Sequence, residues 1–135
     1  MANEVTKVEL YGQDNSGDPR RYACASYAKI AKGTILKVAG ERTASSAALT
    51  ASRFAGIAAM DKAADDFSTS ISAWTNGIFS GIASGAITAG DMLQTATKNE
   101  VMRFPATTAS SWAVVFGPAL EDAATTEAVT FRVNI

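Results

Sequence analysis

Residues 68–82 read Ser68-Thr69-Ser70-Ile71-Ser72-Ala73-Trp74, then Thr75-Asn76-Gly77, then Ile78-Phe79-Ser80-Gly81-Ile82. Apolar and polar side chains alternate on both sides of Asn76-Gly77, and a period of two is the mark of a half-buried β-strand. Asparagine and glycine both tolerate the positive φ angles of a type I′ turn, so the pair predicts a tight hairpin joining the two runs.

Outward from this stretch the same short runs recur. Strands are predicted over residues 5–11, 21–25, 34–38, 54–59, 91–95, 100–104, 112–116 and 129–133. Glycine, asparagine and aspartate separate them, most densely in Gln13-Asp14-Asn15-Ser16-Gly17-Asp18-Pro19. Residues 41–53, rich in alanine, serine and threonine, lack the spaced large apolar residues that pin a helix to a core, and read as a loop. The series predicts an all-β chain folded as one small barrel or sandwich. Its expected core contains Trp74, Ile78, Phe79, Leu93, Val114, Phe116 and Phe131.

The sequence also repeats itself. Ile30-Ala31-Lys32-Gly33-Thr34-Ile35-Leu36-Lys37 is similar to Ile87-Thr88-Ala89-Gly90-Asp91-Met92-Leu93-Gln94. Downstream, residues 54–64 are similar to residues 116–124, with Gly56 matching Gly117 and Asp61 matching Asp122. A glycine turn, a strand, a glycine-marked strand and an Asp-Ala-Ala turn thus occur twice in the same order. Two similar β units packed into one domain account for this.

At 135 residues the chain is long enough for one core without disulfide or metal support. Twelve basic against thirteen acidic residues leave a net charge of −1, so the excess of cations needed to neutralise phosphates is missing and no nucleic-acid partner is expected. Histidine is absent, which removes Ser-His and Cys-His arrangements and His-ligated metals. The charged start Met-Ala-Asn-Glu-Val-Thr-Lys lacks the apolar run of a signal peptide, and no later segment is long enough to span a membrane; synthesis and use without export, with no membrane partner, are expected. Cys24 reads as a small, partly buried thiol.

The remaining motifs are weak. Asp14, Asn15, Ser16 and Asp18 offer oxygen ligands, but not at calcium-loop spacing and without a bidentate glutamate. Asp65-Asp66 and Glu121-Asp122 read as solvated turns rather than paired catalytic carboxylates. Ser80-Gly81-Ile82-Ala83-Ser84-Gly85 does not match the nucleophile elbow and reads as a tight turn. Trp74, Phe79, Phe104 and Trp112 read as core anchors rather than an aromatic platform. No catalytic residue, metal or cofactor is expected, and the chain reads as a non-enzyme.

Residues 1–22 are set apart as an N-terminal arm from a barrel domain of residues 23–135. Val5, Val8, Leu10 and Tyr11 form an apolar stripe at strand spacing, suited either to a sheet edge on another chain or to the protein's own barrel. Arg20 and Arg21 can pair with acidic groups of a partner, or stand as a solvated charge pair.

The succession Gly33-Thr34-Ile35-Leu36, Phe54-Ala55-Gly56-Ile57-Ala58, Asn76-Gly77, Ala83-Ser84-Gly85-Ala86-Ile87-Thr88-Ala89-Gly90-Asp91-Met92-Leu93 and Gly117-Pro118-Ala119-Leu120-Glu121-Asp122-Ala123 resembles the capsid decoration, or cement, proteins of tailed bacteriophages. It spans roughly residues 33–135; residues 1–32 match no nameable pattern. The resemblance implies a non-enzymatic β-barrel, made in the host cytoplasm, that sits on the outer surface of the virion shell. There it would contact the major capsid protein and reinforce the head, as a homo-oligomer with a trimer favoured. Val5, Val8, Leu10, Tyr11, Arg20 and Arg21 then become the candidate capsid or subunit contacts. The alternative is an adhesive or carbohydrate-binding β module on a virion or cell surface, which needs Trp74 and Trp112 exposed.

Overall fold

A computed structural model describes residues 4–10, 19–46, 53–105 and 115–134. The chain is built of β1 (Thr6–Glu9), β2 (Arg20–Ala23), β3 (Ile35–Gly40), β4 (Thr43–Ser46), β5 (Phe54–Ala58), β6 (Ser70–Trp74), β7 (Asn76–Ile82), β8 (Met92–Thr95), β9 (Val101–Arg103), β10 (Gly117–Pro118) and β11 (Ala128–Asn134). A single 3-10 turn, Thr97–Asn99, is the only helical element among the described residues. The all-β class read from the sequence is what the chain adopts.

Strands β2 to β6 close a barrel in the order β2-β4-β3-β5-β6. Strands β7 to β11 follow the same plan. β7 pairs with β11 as β2 pairs with β6, and β8 pairs with β9 and β10 as β3 pairs with β4 and β5. Single bridges, Ala83 to Val101 in parallel and Ala119 to Phe131 antiparallel, stand where the first barrel has its β2–β4 and β5–β6 pairings.

The internal repeat is therefore a repeat of hydrogen bonds. Leu36 pairs with Gly56, and Leu93 with Gly117. Gly33 N–H donates to Ala58 O and Gly90 N–H to Ala119 O. Ile30 and Lys62 exchange two backbone bonds, as do Ile87 and Ala123. Asp61 Oδ1 accepts from Lys32 N–H and Asp122 Oδ1 from Ala89 N–H, each at 2.7 Å.

Burial explains why so much alanine is tolerated. One cluster fills the first barrel with Cys24, Ile30, Leu36, Ala44, Ala55, Ala58, Ile71 and Ala73. The other runs from the outer face of that barrel, through Ile35, Phe54, Ile57 and Trp74, into the second, with Phe79, Leu93, Phe116 and Phe131. β5 is buried along its whole length because its two faces serve the two clusters. Aromatic rings line the seam: Phe54 to Phe116 at 4.7 Å and Trp74 to Phe79 at 5.9 Å between centroids.

Asn99 fastens the two barrels together. Its Nδ2 donates to Gly33 O at 3.0 Å, and its Oδ1 accepts from Ile35 N–H at 2.7 Å.

Several local readings are corrected. Asn76-Gly77 is not a hairpin turn: β6 lies in the first barrel, β7 pairs with β1 and β11, and the chain crosses between barrels at Thr75. Gly77 sits within β7 at φ 139°, where a Cβ would lie 2.8 Å from Glu9 O; the glycine admits the β1 backbone. Residues 43–46, read as loop, form β4, held by pairing to β3 and β2 rather than by large side chains. Ser80 to Ile82 continue β7, and only Ser84 and Gly85 bend. Ile78 is half-buried, because the inward positions of β7 are Gly77, Phe79 and Gly81. The remaining core expectations hold at Trp74, Phe79, Leu93, Phe116 and Phe131. Trp112 and Val114 lie outside the described residues, as do Tyr11 and residues 14–16 and 18.

Candidate functional site

β1 adds to the edge of β7 in its own chain, and Val5 and Leu10 are turned into the core, at 1% and 3% exposure. The register shifts between Lys7 and Glu9, leaving Val8 as the extra residue of a bulge; its side chain is 53% exposed. Val5 and Leu10 thus present no surface to a partner while the chain is folded, whereas Val8 does. The outer edge of β1 has no strand beside it among the described residues.

Arg20 and Arg21 start β2 on the surface, and the structure brings a third arginine to them. Arg42 ends the β3–β4 turn at φ 49°, its carbonyl accepting from Ala23 N–H at 2.8 Å, so this turn lies against β2. Arg20, Arg21, Tyr22, Arg42 and Thr75 line an open groove of about 350 Å³. Tyr22 is held by its hydroxyl, which donates to Ala55 O at 3.0 Å. Thr75 is 5% exposed, and its buried Oγ1 has no hydrogen-bond partner among the described residues. Sequence reading found Arg20 and Arg21 but missed Arg42, because a lone arginine in an alanine-serine stretch gives no hint of which strand its turn will face.

A second feature was also invisible in the sequence. Lys62, only 3% exposed, directs Nζ at Ser26 O (2.9 Å), Ala28 O (3.0 Å), Ala63 O (3.3 Å) and Asp66 Oδ1 (3.1 Å). One ammonium thereby fixes two loops that display Tyr27 and Phe67, 80% and 78% exposed. Asp66 also accepts from Ser68 N–H at 2.9 Å; that bond, with Lys62 beside it, holds its carboxyl below the ordinary aspartate range.

Two further acidic residues hold backbone N–H groups near the 121–127 turn. Glu121 Oε1 accepts from Thr130 N–H at 2.9 Å and Glu127 Oε1 from Ala124 N–H at 2.6 Å. Among the described residues no cluster of Cys, Asp and Glu is placed to hold a metal ion. Trp74 is 7% exposed, with Lys7 Nζ at 5.8 Å and Lys32 Nζ at 6.0 Å from its ring centroid, so it forms no open platform for a sugar. Cys24 is buried inside the first barrel.

The described residues thus form two similar β units, each pinned at its turns by an aspartate. The chain belongs to the phage cement protein family, which it matches over residues 15–135. It is similar in fold to the N base of the head fiber protein gp8.5 of bacteriophage phi29, with a TM-score of 0.56 and 20% identity, covering 87% of this chain and 95% of that one. Comparison with curated proteins finds no match. The chain is a structural protein of the phage head, a component of the virion capsid.

Proposed function

We propose that the protein binds the outer surface of the major capsid protein shell and stabilises the head, with no catalytic role. The family match across nearly the whole chain carries this reading. The burial of Trp74 speaks against the carbohydrate-binding alternative. Many modest contacts repeated over a shell give strong collective attachment, and a homo-oligomer, a trimer by preference, multiplies them. Residues 1–22, whose strands β1 and β2 are paired into the fold, supply the contact surface and residues 23–135 the rest of the body, with Val8, Arg20 and Arg21 as the surface contacts.

The test is a density map of source-virus capsids incubated with the purified chain. The expected result is added density at repeated positions on the outer surface, together with an increase in the temperature at which heads release DNA. Capsids that gain no density, or gain it only inside the shell, refute the reading. Because Val5 and Leu10 belong to the core, the arm is better tested by Val8→Asp than by truncation. The variant should melt like the parent and decorate less.

A further inference from the structure

We propose that the groove lined by Arg20, Arg21, Arg42 and Thr75 is a binding site for carboxylate side chains on an acidic segment of another protein. This deepens the capsid reading, and rests on it only for which protein supplies the segment. Three arginines line one opening in a chain whose net charge is −1, so the positive charge here is local and not the overflow of a basic surface. Among the described residues neither Arg21 nor Arg42 has an ion-pair partner. A guanidinium presents a planar fork of N–H donors that matches a carboxylate in two parallel bonds, which suits this group better than a point charge.

The backbone beneath is fixed before any partner arrives. Arg21 lies in β2 opposite Ser72, and Arg42 is held in a left-handed turn whose carbonyl is tied to Ala23. Little backbone ordering is therefore left for binding to impose. Thr75 adds a hydroxyl that has no hydrogen-bond partner among the described residues, a state that is costly unless something else uses it.

The second barrel supplies an internal comparison. Counting along each hairpin from Leu36 and Leu93, Arg42 corresponds to Asn99, and both have positive φ, 49° and 60°. Across the matching β7–β11 pair, Phe79 and Ser80 stand where β2 carries Arg20 and Arg21. In that barrel the turn position is spent on joining the barrels, through Gly33 and Ile35, and Asn99 stands where the first barrel has Arg42. The three arginines of the groove thus have no arginine counterpart at the matching positions of the second barrel.

An acidic protein segment suits the site better than nucleic acid. The groove holds about 350 Å³, room for a few carboxylates and too short for the long run of phosphates a strand would bring.

The test is an NMR titration of the full chain with acetyl-hexaglutamate, following the arginine Nε–Hε signals, with a hexathymidylate strand as the competing polyanion. Hexaglutamate is expected to move the Arg21 and Arg42 signals, with binding weakened by at least about tenfold in the Arg21→Gln, Arg42→Gln double variant. Thr75→Val, which removes only the hydroxyl, should fold normally and bind more weakly. The proposal is overturned if hexaglutamate leaves these signals unmoved, if neither variant lowers its affinity, or if hexathymidylate binds more tightly. None of these outcomes involves capsids, so a failure here is distinct from a failure to decorate the shell.

Discussion

Gly56 and Gly117 occupy the same place in the two barrels and hold the same backbone angle, φ 155° and 156°. Each faces a leucine of the neighbouring strand, Leu36 in β3 or Leu93 in β8, and in each the missing side chain makes room for a backbone. A Cβ on Gly56 would lie 2.9 Å from Trp74 O, and one on Gly117 would run into the Arg132 carbonyl. The tightness of both barrels depends on this approach.

Gly117→Ala is therefore expected to destabilise the protein by about 4 kcal/mol or more, combining backbone strain with a clash that no side-chain rotation relieves. Gly85→Ala, at φ 111° with open space around it, should cost only about 1–2 kcal/mol. Urea denaturation of the two variants checks the order; equal losses would contradict it.

Phe131→Ala should cost about 3–5 kcal/mol, since the ring is fully buried between Phe79 and Phe116, at centroid distances of 6.4 and 5.3 Å. A melting temperature within a degree or two of the parent would show that the seam is not the main core.

Asn99→Ala leaves the Gly33 carbonyl without its Asn99 donor and the Ile35 N–H without its acceptor at the junction of the barrels. A loss of about 1–3 kcal/mol is expected, the cost of one buried group left unsatisfied, because Gly33 O keeps its bond from Val5 N–H at 3.0 Å. Hydrogen exchange gives the sharper readout: the Ile35 amide should lose protection in the variant.

Asp66 ties pH to the Tyr27 and Phe67 loops. Its folded-state pKa is lowered, first by the Ser68 N–H bond and then by Lys62. Its contribution is therefore fully present above the ordinary aspartate value of about 3.9 and is lost as pH falls through the lowered value. Asp66→Asn should melt below the parent at neutral pH, and the gap should narrow as the pH is taken below the ordinary aspartate value and through the lowered one. A gap that stayed constant with pH would remove the charge from the explanation.

The sequence made the strands legible because alternation is a local property, and it made the repeat legible because turns need particular residues at particular places. Gly33, Gly56, Asp61 and their partners Gly90, Gly117 and Asp122 could be matched before any pairing was known. What local reading could not supply was which strand lies beside which. Asn76-Gly77 satisfies every local requirement of a hairpin, yet the approach of β1 to Gly77 sends the chain into a second barrel. β4 has no apolar signal of its own and is a strand only because β2 and β3 flank it. Arg42 joins Arg20 and Arg21 through that same non-local pairing, and Lys62 looked like any surface lysine until the loops around Ser26 and Asp66 closed over it.

The pair of aspartates at the barrel turns also makes the molecule its own reference standard. Asp61 and Asp122 make the same 2.7 Å bond to a backbone N–H, in the same turn, within one chain and one buffer. The first barrel is closed by continuous strand pairing, and the second by isolated bridges. Any difference between the effects of Asp61→Ala and Asp122→Ala therefore reports on the surroundings of the bond and not on the bond, a thermodynamic cycle that needs no second protein.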